Sequence, residues 1–314
     1  MLSQRKEKSM ETENIAMNYE QFLTLLTESL QKKLGDGYQF ISNEYPITNG
    51  IIKHSLTIKN GKSNIYPSIC MNPYYFDYIN KTSKLDDIAQ AILQIYKQNK
   101  INHAIDTSAF MDWNHIRHRI RCRLINTEKN KNLLLDVPHR EILDLSIVYY
   151  LSVKMPGGTE GSIHLCNEHL KLWNTDEKNL CSEAWQNLHT MKDAVVCNIN
   201  DIIKSVSGEI ENNSSHLFSE QMYILTNQRK LYGAVHMSDL KQLAEIASKI
   251  DNDLLILPSS IHEVILIPYN RISNTAAMAD IVSKINATEL SPDEILSYHV
   301  YHFSRGTGRI SIEA

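Results

Sequence analysis

Apolar side chains at Phe22, Leu23, Leu26 and Leu30 recur at helical spacing and stop at Gly35. This is the pattern of an amphipathic helix ended by a residue that can leave the right-handed region, with Asn18 in place to cap its start. The pattern then changes. Ile51–Ile58 and Ile65–Met71 flank Asn60-Gly61, a dipeptide that tolerates the positive φ angles of a type I′ turn, so the segment predicts a β-hairpin. Leu85–Tyr96 returns to helical spacing, opened by Asp86 and Asp87, and Ser108–Asn114 predicts a short helix feeding a strand at Ile116–Ile125.

A second block starts near Asn130. A strand ends the stretch Ile142–Lys154, Pro156-Gly157-Gly158 turns the chain, and Ser162–Cys166 runs back. Thr175-Asp176-Glu177-Lys178 opens a helix through Trp185 and Leu188, its acidic residues lying where the helix dipole favours them. Ser207–Glu220 is polar and reads as a loop or linker. Met222–Thr226, Tyr232–His236, Leu254–Leu257 and Val264–Ile267 predict four strands, with helices at Leu240–Ile250 and Thr275–Ile285. Tyr298–Ser304 and Ile310–Ile312 predict a closing hairpin around Arg305-Gly306-Thr307-Gly308, and Asn227-Gln228-Arg229 with Gly233 reads as a hairpin connection. The fold class expected is α+β, mainly antiparallel sheets with flanking helices in two subdomains. Residues 1–16 form a frayed extension, 17–128 an N-terminal subdomain and 129–314 a C-terminal one.

Within Asp253–Asn270, two apolar runs flank Pro258, Ser259, Ser260, Ile261, His262 and Glu263. Proline cannot donate to a sheet ladder and serines bond the backbone locally, so this predicts strand, break, strand. The segment DLLILPSSIHEVILIP resembles the signature of a bacterial family without assigned function, the domain-of-unknown-function family fifty-six eighty-eight. The likeness extends to Met17-Asn-Tyr-Glu-Gln-Phe, Met71-Asn-Pro-Tyr-Tyr, Arg123-Leu-Ile-Asn-Thr-Glu-Lys-Asn, Val137-Pro-His-Arg-Glu-Ile-Leu-Asp-Leu-Ser and Met222-Tyr-Ile-Leu-Thr-Asn. The second half is also similar to the YtpQ-like group of uncharacterised bacterial proteins, which carries Arg-Asp where this chain has His262-Glu263. The resemblance implies a bacterial, intracellular α+β protein and implies no activity. The Arg-Asp alternative weighs against His262 as a metal ligand or general base, because arginine stays protonated.

Composition narrows the classes. The 314 residues are 42% hydrophobic and 22% charged with a formal net charge of -4, which gives no strong nucleic-acid signal. Five cysteines, without any C-x-x-C, argue for free thiols in a reducing compartment, and no apolar run is long enough to span a membrane. The expected location is the cytoplasm.

The chemistry on offer is sparse. No nucleotide-binding glycine loop or nucleophile elbow is present, and no cofactor is expected. Arg117, Arg119, Arg121 and Arg123 alternate with Ile120, Cys122 and Leu124. In a strand, all four guanidinium groups would share one face and could hold a carboxylate or phosphate. The plainer alternative leaves this face solvated or pairs it with acidic neighbours such as Asp86, Asp87, Asp112 and Glu128. His262-Glu263 opens like a zinc-protease motif, but Leu266 stands where the second histidine belongs. What remains is a hydrogen-bonding pair beside Ser259, Ser260 and Asn227, serving a binding groove or fixing how two strands join. His164, His169 and His189 match no metal-ligand spacing, and Cys166 and Cys181 read as structural thiols. The expected function is a binding or adaptor protein acting through surface recognition, with an anionic ligand or a protein as partner. The alternative is a hydrolase or transferase acting on a phosphorylated or nucleotide-like substrate.

Overall fold

Strands pair only antiparallel among the described residues, forming sheets of three, six and four strands. The computed structural model describes residues 19–64, 66–100, 107–154, 160–199, 222–269 and 275–314. The expected extension at 1–16, the cap at Asn18, the Pro156–Gly158 turn and the Ser207–Glu220 linker lie outside them. The chain divides into two compact units, one holding residues up to Ile47 and Ile52–Thr107, the other Thr48–Ile51 and Ser108–Ala314. The division falls before the expected boundary at 128/129, because Ile120–Asn126 is built into a sheet of the second unit.

In the first unit, a helix over residues 19–34 (α1) buries Phe22, Leu26 and Leu30. It ends at Gly35, whose φ of 81° only glycine adopts freely and whose N–H donates to Gln31 O at 2.9 Å. Strands β1 (Gln39–Pro46), β2 (Ile52–Lys59) and β3 (Ser68–Cys70) form the three-stranded sheet in that order. Two helices follow, α2 (Asn72–Ile79) and α3 (Leu85–Asn99), and the latter buries Ile88, Ala89, Ile92, Leu93 and Tyr96. These side chains join Leu56, Ile58, Ile69 and Met71 in one core. The hairpin β2–β3 forms as expected, but its turn is not type I′. Pairing stops at Thr57↔Ser68, so the connection is too long for two residues, and among its described residues only Gly61 has positive φ. Asn60 instead accepts Lys62 N–H on its side chain at 3.1 Å. Strand β1, with few apolar residues, gives no pattern in the sequence.

In the second unit, β4 (Ile120–Asn126), β5 (His139–Ile142), β6 (Leu145–Lys154) and β7 (Glu160–His164) make the four-stranded sheet. β4 lies along one edge of β6, while β5 and β7 share the other. The six-stranded sheet contains β8 (Ala194–Asn198), β9 (Tyr223–Asn227), β10 (Leu254–Pro258), β11 (Val264–Pro268), β12 (Tyr301–Ser304) and β13 (Arg309–Ile312), in the order β13-β12-β10-β11-β9-β8. Three long helices complete the unit: α4 (Glu177–Met191), α5 (Leu240–Ile250) and α6 (Thr275–Thr288).

The main core draws Ile120, Leu124 and Tyr149 from one sheet, Ile256, Leu266 and Tyr301 from the other, and Leu180 and Leu243 from α4 and α5. Leu255, Leu257 and Ile267 point the other way and pack with Val282 of α6. Because both faces of β10 are covered, its sequence is an unbroken apolar run instead of an alternation. At the turn before β6, the Asp144 carboxylate accepts Ser297 Oγ (2.7 Å), His299 Nδ1 (3.0 Å) and Tyr301 OH (2.8 Å), fixing the entry to β12.

Two expectations in this unit need correction. The strand predicted over Ile116–Ile125 starts only at Ile120. Asp112 caps a helical turn over Trp113–Ile116, and Arg117–Arg119 continue it as a 3₁₀ turn. Tyr232–His236 is not a strand either: Gly233–Ser238 is a 3₁₀ helix entered through Tyr232 at φ 59°. It follows that Asn227–Gly233 connects a strand to a helical turn and is no hairpin. The outer strand β8 was not foreseen.

Candidate functional site

The helical turn at Arg117–Arg119 breaks up the expected arginine face. Arg117 Nη1 binds Glu183 Oε1 of α4 at 2.7 Å, and Arg119 Nε donates to Ser152 O at 2.9 Å. Only Arg121 and Arg123 sit on β4. Arg121 Nη1 donates to His118 O and Ile120 O at 3.0 and 2.9 Å, while the Arg123 guanidinium lies 4.8 Å over the Tyr232 ring. The acidic partner of Arg117 is Glu183, brought close by the fold.

His262 meets the same tyrosine. Its ring stacks on Tyr232 at 5.6 Å, and Tyr150 meets that tyrosine edge-on at 5.4 Å. Tyr232 N–H donates to His262 Nδ1 at 3.1 Å, so the ring carries its proton on Nε2, which faces Glu294 Oε1 at 3.6 Å. The His262 backbone is held as well: its N–H donates to Ser260 Oγ at 3.0 Å and its carbonyl accepts Thr226 Oγ1 at 2.8 Å. Glu263 turns away toward Ser259 Oγ at 3.5 Å, and Ser260 N–H closes the loop on Glu263 O at 3.1 Å. Asn227 brackets Leu231, donating to its carbonyl at 2.8 Å and accepting its N–H at 3.2 Å. Arg123 and His262 thus both meet Tyr232, and the polar atoms of Asn227, Ser260 and His262 are spent on joining strands to turns. Gly233 is required here: a Cβ would stand 2.5 Å from Thr226 Oγ1, 2.6 Å from Asn227 N and 2.8 Å from His262 O.

The three singled-out histidines separate. His164 on β7 is driven down to about 4 by burial, with the Arg123 and His169 charges adding to the effect, so it is neutral at pH 7. His169 Nδ1 accepts Cys166 N–H at 3.0 Å and lies 3.2 Å from its Sγ, capping the short helix Asn167–Leu172; burial lowers its pKa too. His189 belongs to a different place.

A cleft of ≈ 610 Å³, within the range of small-molecule sites, opens where the end of α4 meets the start of α5. His189, in the last turn of α4, holds Asp239 Oδ2 through Nε2 at 2.8 Å. Asp239 caps α5, its Oδ1 accepting Lys241 N–H and Gln242 N–H at 3.1 and 3.2 Å. Behind them His236, only 3% exposed, meets Gln242 Oε1 through Nδ1 at 3.0 Å and faces Asp193 Oδ1 through Nε2 at 3.5 Å. That separation is a long ionic contact, and neither atom has a closer hydrogen-bonding partner. Burial alone would raise the Asp193 carboxyl. The His236 contact and charge, with a backbone N–H and Arg229, outweigh it and hold the carboxyl below the ordinary range. Lys192, Lys241 and Glu245 complete the polar wall. Asp193 also borders a chamber of ≈ 20 Å³ beside Arg121, Tyr150, Arg229 and Tyr232, with room for about one water-sized group.

Sequence reasoning missed this cleft. Asp193 precedes the unforeseen β8, and His236 sat in a supposed strand. The one readable signal was Asp239, a capping residue directly before the helix Leu240–Ile250. Among the described residues, no group of three or more His, Cys, Asp or Glu side chains could hold a metal, and no helix is long and apolar enough to cross a membrane.

Residues 19–305 match the model of a family described as a family of unknown function (DUF5688). Neither a curated protein nor a solved structure matches the chain.

Proposed function

The chain belongs to the family of unknown function DUF5688, and from a membership that carries no activity we propose a binding protein that takes a small molecule in the cleft between α4 and α5. The observation that supports this reading is one cleft of ≈ 610 Å³ walled by two His–Asp pairs, His189–Asp239 and the buried His236–Asp193. Burying a polar pair beside open space costs free energy unless it is compensated, so such a pair in a cleft points to a site. The arginines and His262, by contrast, are engaged within the fold. As part of the same proposal the protein works in the bacterial cytoplasm, in keeping with five free thiols, and its second half is related to the YtpQ-like group.

A second reading has its own support. His189, 53% exposed, uses Nε2 on a carboxylate and keeps Nδ1 for a substrate, the arrangement of a general acid–base dyad. That favours the enzyme class, a hydrolase or transferase, with the cleft as its site.

The test is a screen of small polar metabolites followed by the histidine ring signals in NMR. A ligand is expected to move the His189 and His236 signals and leave His262 unmoved. Ligands that move His262 alone, or none that bind at millimolar concentration, would overturn the proposal.

A further inference from the structure

Counting which polar atoms of the cleft are already used narrows its ligand. Both oxygens of Asp239 are taken, one by two N–H groups of α5 and the other by His189. Asp193 faces His236 and feels Arg229. The Lys192 and Lys241 ammonium groups line the same cleft and make no ion pair or hydrogen bond among the described residues. Lys241 stands in the first turn of α5, at the positive end of the helix dipole. On the acidic side only Glu245 remains uncommitted, one helical turn along α5.

From this we infer that the cleft binds a compact oxyanion, a carboxylate or phosphate group held by Lys192 and Lys241, and that a proton enters with it at His189. The inference rests on the cleft being the binding site. The proton follows from charge balance. With Asp193 offset by the His236 charge that it faces, the wall sets two lysines against two carboxylates, Asp239 and Glu245, and offers no net positive charge to an incoming anion. A proton on His189 makes both ring nitrogens donors: Nε2 stays on Asp239 and Nδ1 turns toward the anion. The groups facing His189 are Lys192 and Asp193 after its own helix, His236 on the 3₁₀ helix, and Asp239, Lys241 and Glu245 of α5. The Trp185 ring, 5.8 Å away, packs against it without adding charge.

Sulfate is the suitable probe, because its own charge does not change between pH 6 and 8. Titration of the full-length protein, followed by the His189 ring signal and by calorimetry, is expected to give saturable binding that tightens as pH falls, by up to about tenfold per pH unit for one coupled proton. Lys192→Gln and Lys241→Gln are each expected to weaken it by about tenfold, with unchanged circular dichroism. Sulfate binding that is independent of pH, or indifferent to both lysine variants, would overturn the inference. So would a neutral or cationic metabolite that moves His189 where sulfate does not, although that result would leave the cleft proposal standing. If no probe of any charge moves His189 or His236, the cleft proposal itself fails.

Discussion

Gly233 and His262 show how tightly single residues are constrained around Tyr232. A methyl group at 233 would press on two backbone atoms and a hydroxyl, all closer than 3.0 Å. Gly233→Ala is therefore expected to destabilise by about 1–3 kcal/mol, as overpacking does, measurable by urea unfolding. His262 supplies an acceptor to Tyr232 N–H, which arginine cannot do. His262→Arg with Glu263→Asp should cost about 1–2 kcal/mol unless the loop changes course, since one backbone donor loses its partner. An unchanged melting temperature would show that the loop does rearrange.

His164 gives the acid response its sign. Its folded pKa, about 4, lies below the ordinary 6.5, so between those values the unfolded chain binds more protons than the folded one. Stability should fall as pH drops from 6.5 toward 4, by roughly 2–3 kcal/mol from this group. His164→Gln should flatten that part of the unfolding profile; a profile that stays equally steep would exclude His164 as its source.

At the scale of elements, Asp239 joins two roles in one side chain. Asp239→Ala removes the cap of α5 and should cost about 1 kcal/mol, while Asp239→Asn keeps a capping oxygen and should cost less. Both should alter the His189 ring signal, because both remove the carboxylate from Nε2. In the first unit, Gly61→Val would force a β-branched residue to φ 71° and is expected to cost on the order of 1–3 kcal/mol. This holds although the turn differs from the type the dipeptide suggested. Helices α3 and α5 were legible because their apolar stripes are regular and acidic residues open them. β10 and β11 were legible as apolar runs bounded by proline and serine. The 3₁₀ segments at Arg117 and Gly233 were not, because the arginines at 117, 119, 121 and 123 keep a period of two across the boundary between the 3₁₀ turn and β4. A local cap at Asp112 and a glycine crowded by the distant His262 carbonyl decided against strands there.

At the scale of the whole molecule, the fold class was readable and the site was not, for a common physical reason. Periodicity reports which face of an element is buried. It carries no information on which elements will meet, and the cleft exists only because the end of α4, the 3₁₀ helix and the start of α5 converge. Its four His and Asp residues span positions 189 to 239 and share no motif. The arginine run, by contrast, looked like a site because neighbours in sequence are easy to see, and the fold assigned those charges to holding its own turns together.

The Asp144 carboxylate has a consequence for biosynthesis. Its three donors, Ser297, His299 and Tyr301, leave the ribosome more than 150 residues after it, and β10 acquires its neighbour β12 only then. Until that moment the nascent second unit carries an unmet acid and an open edge on β10, a strand buried along its whole length in the folded protein, the kind of surface chaperones hold. A ribosome stalled before codon 297 would therefore release a chain marked for proteolysis, whereas a pause after codon 312 would find β12 and β13 already synthesised.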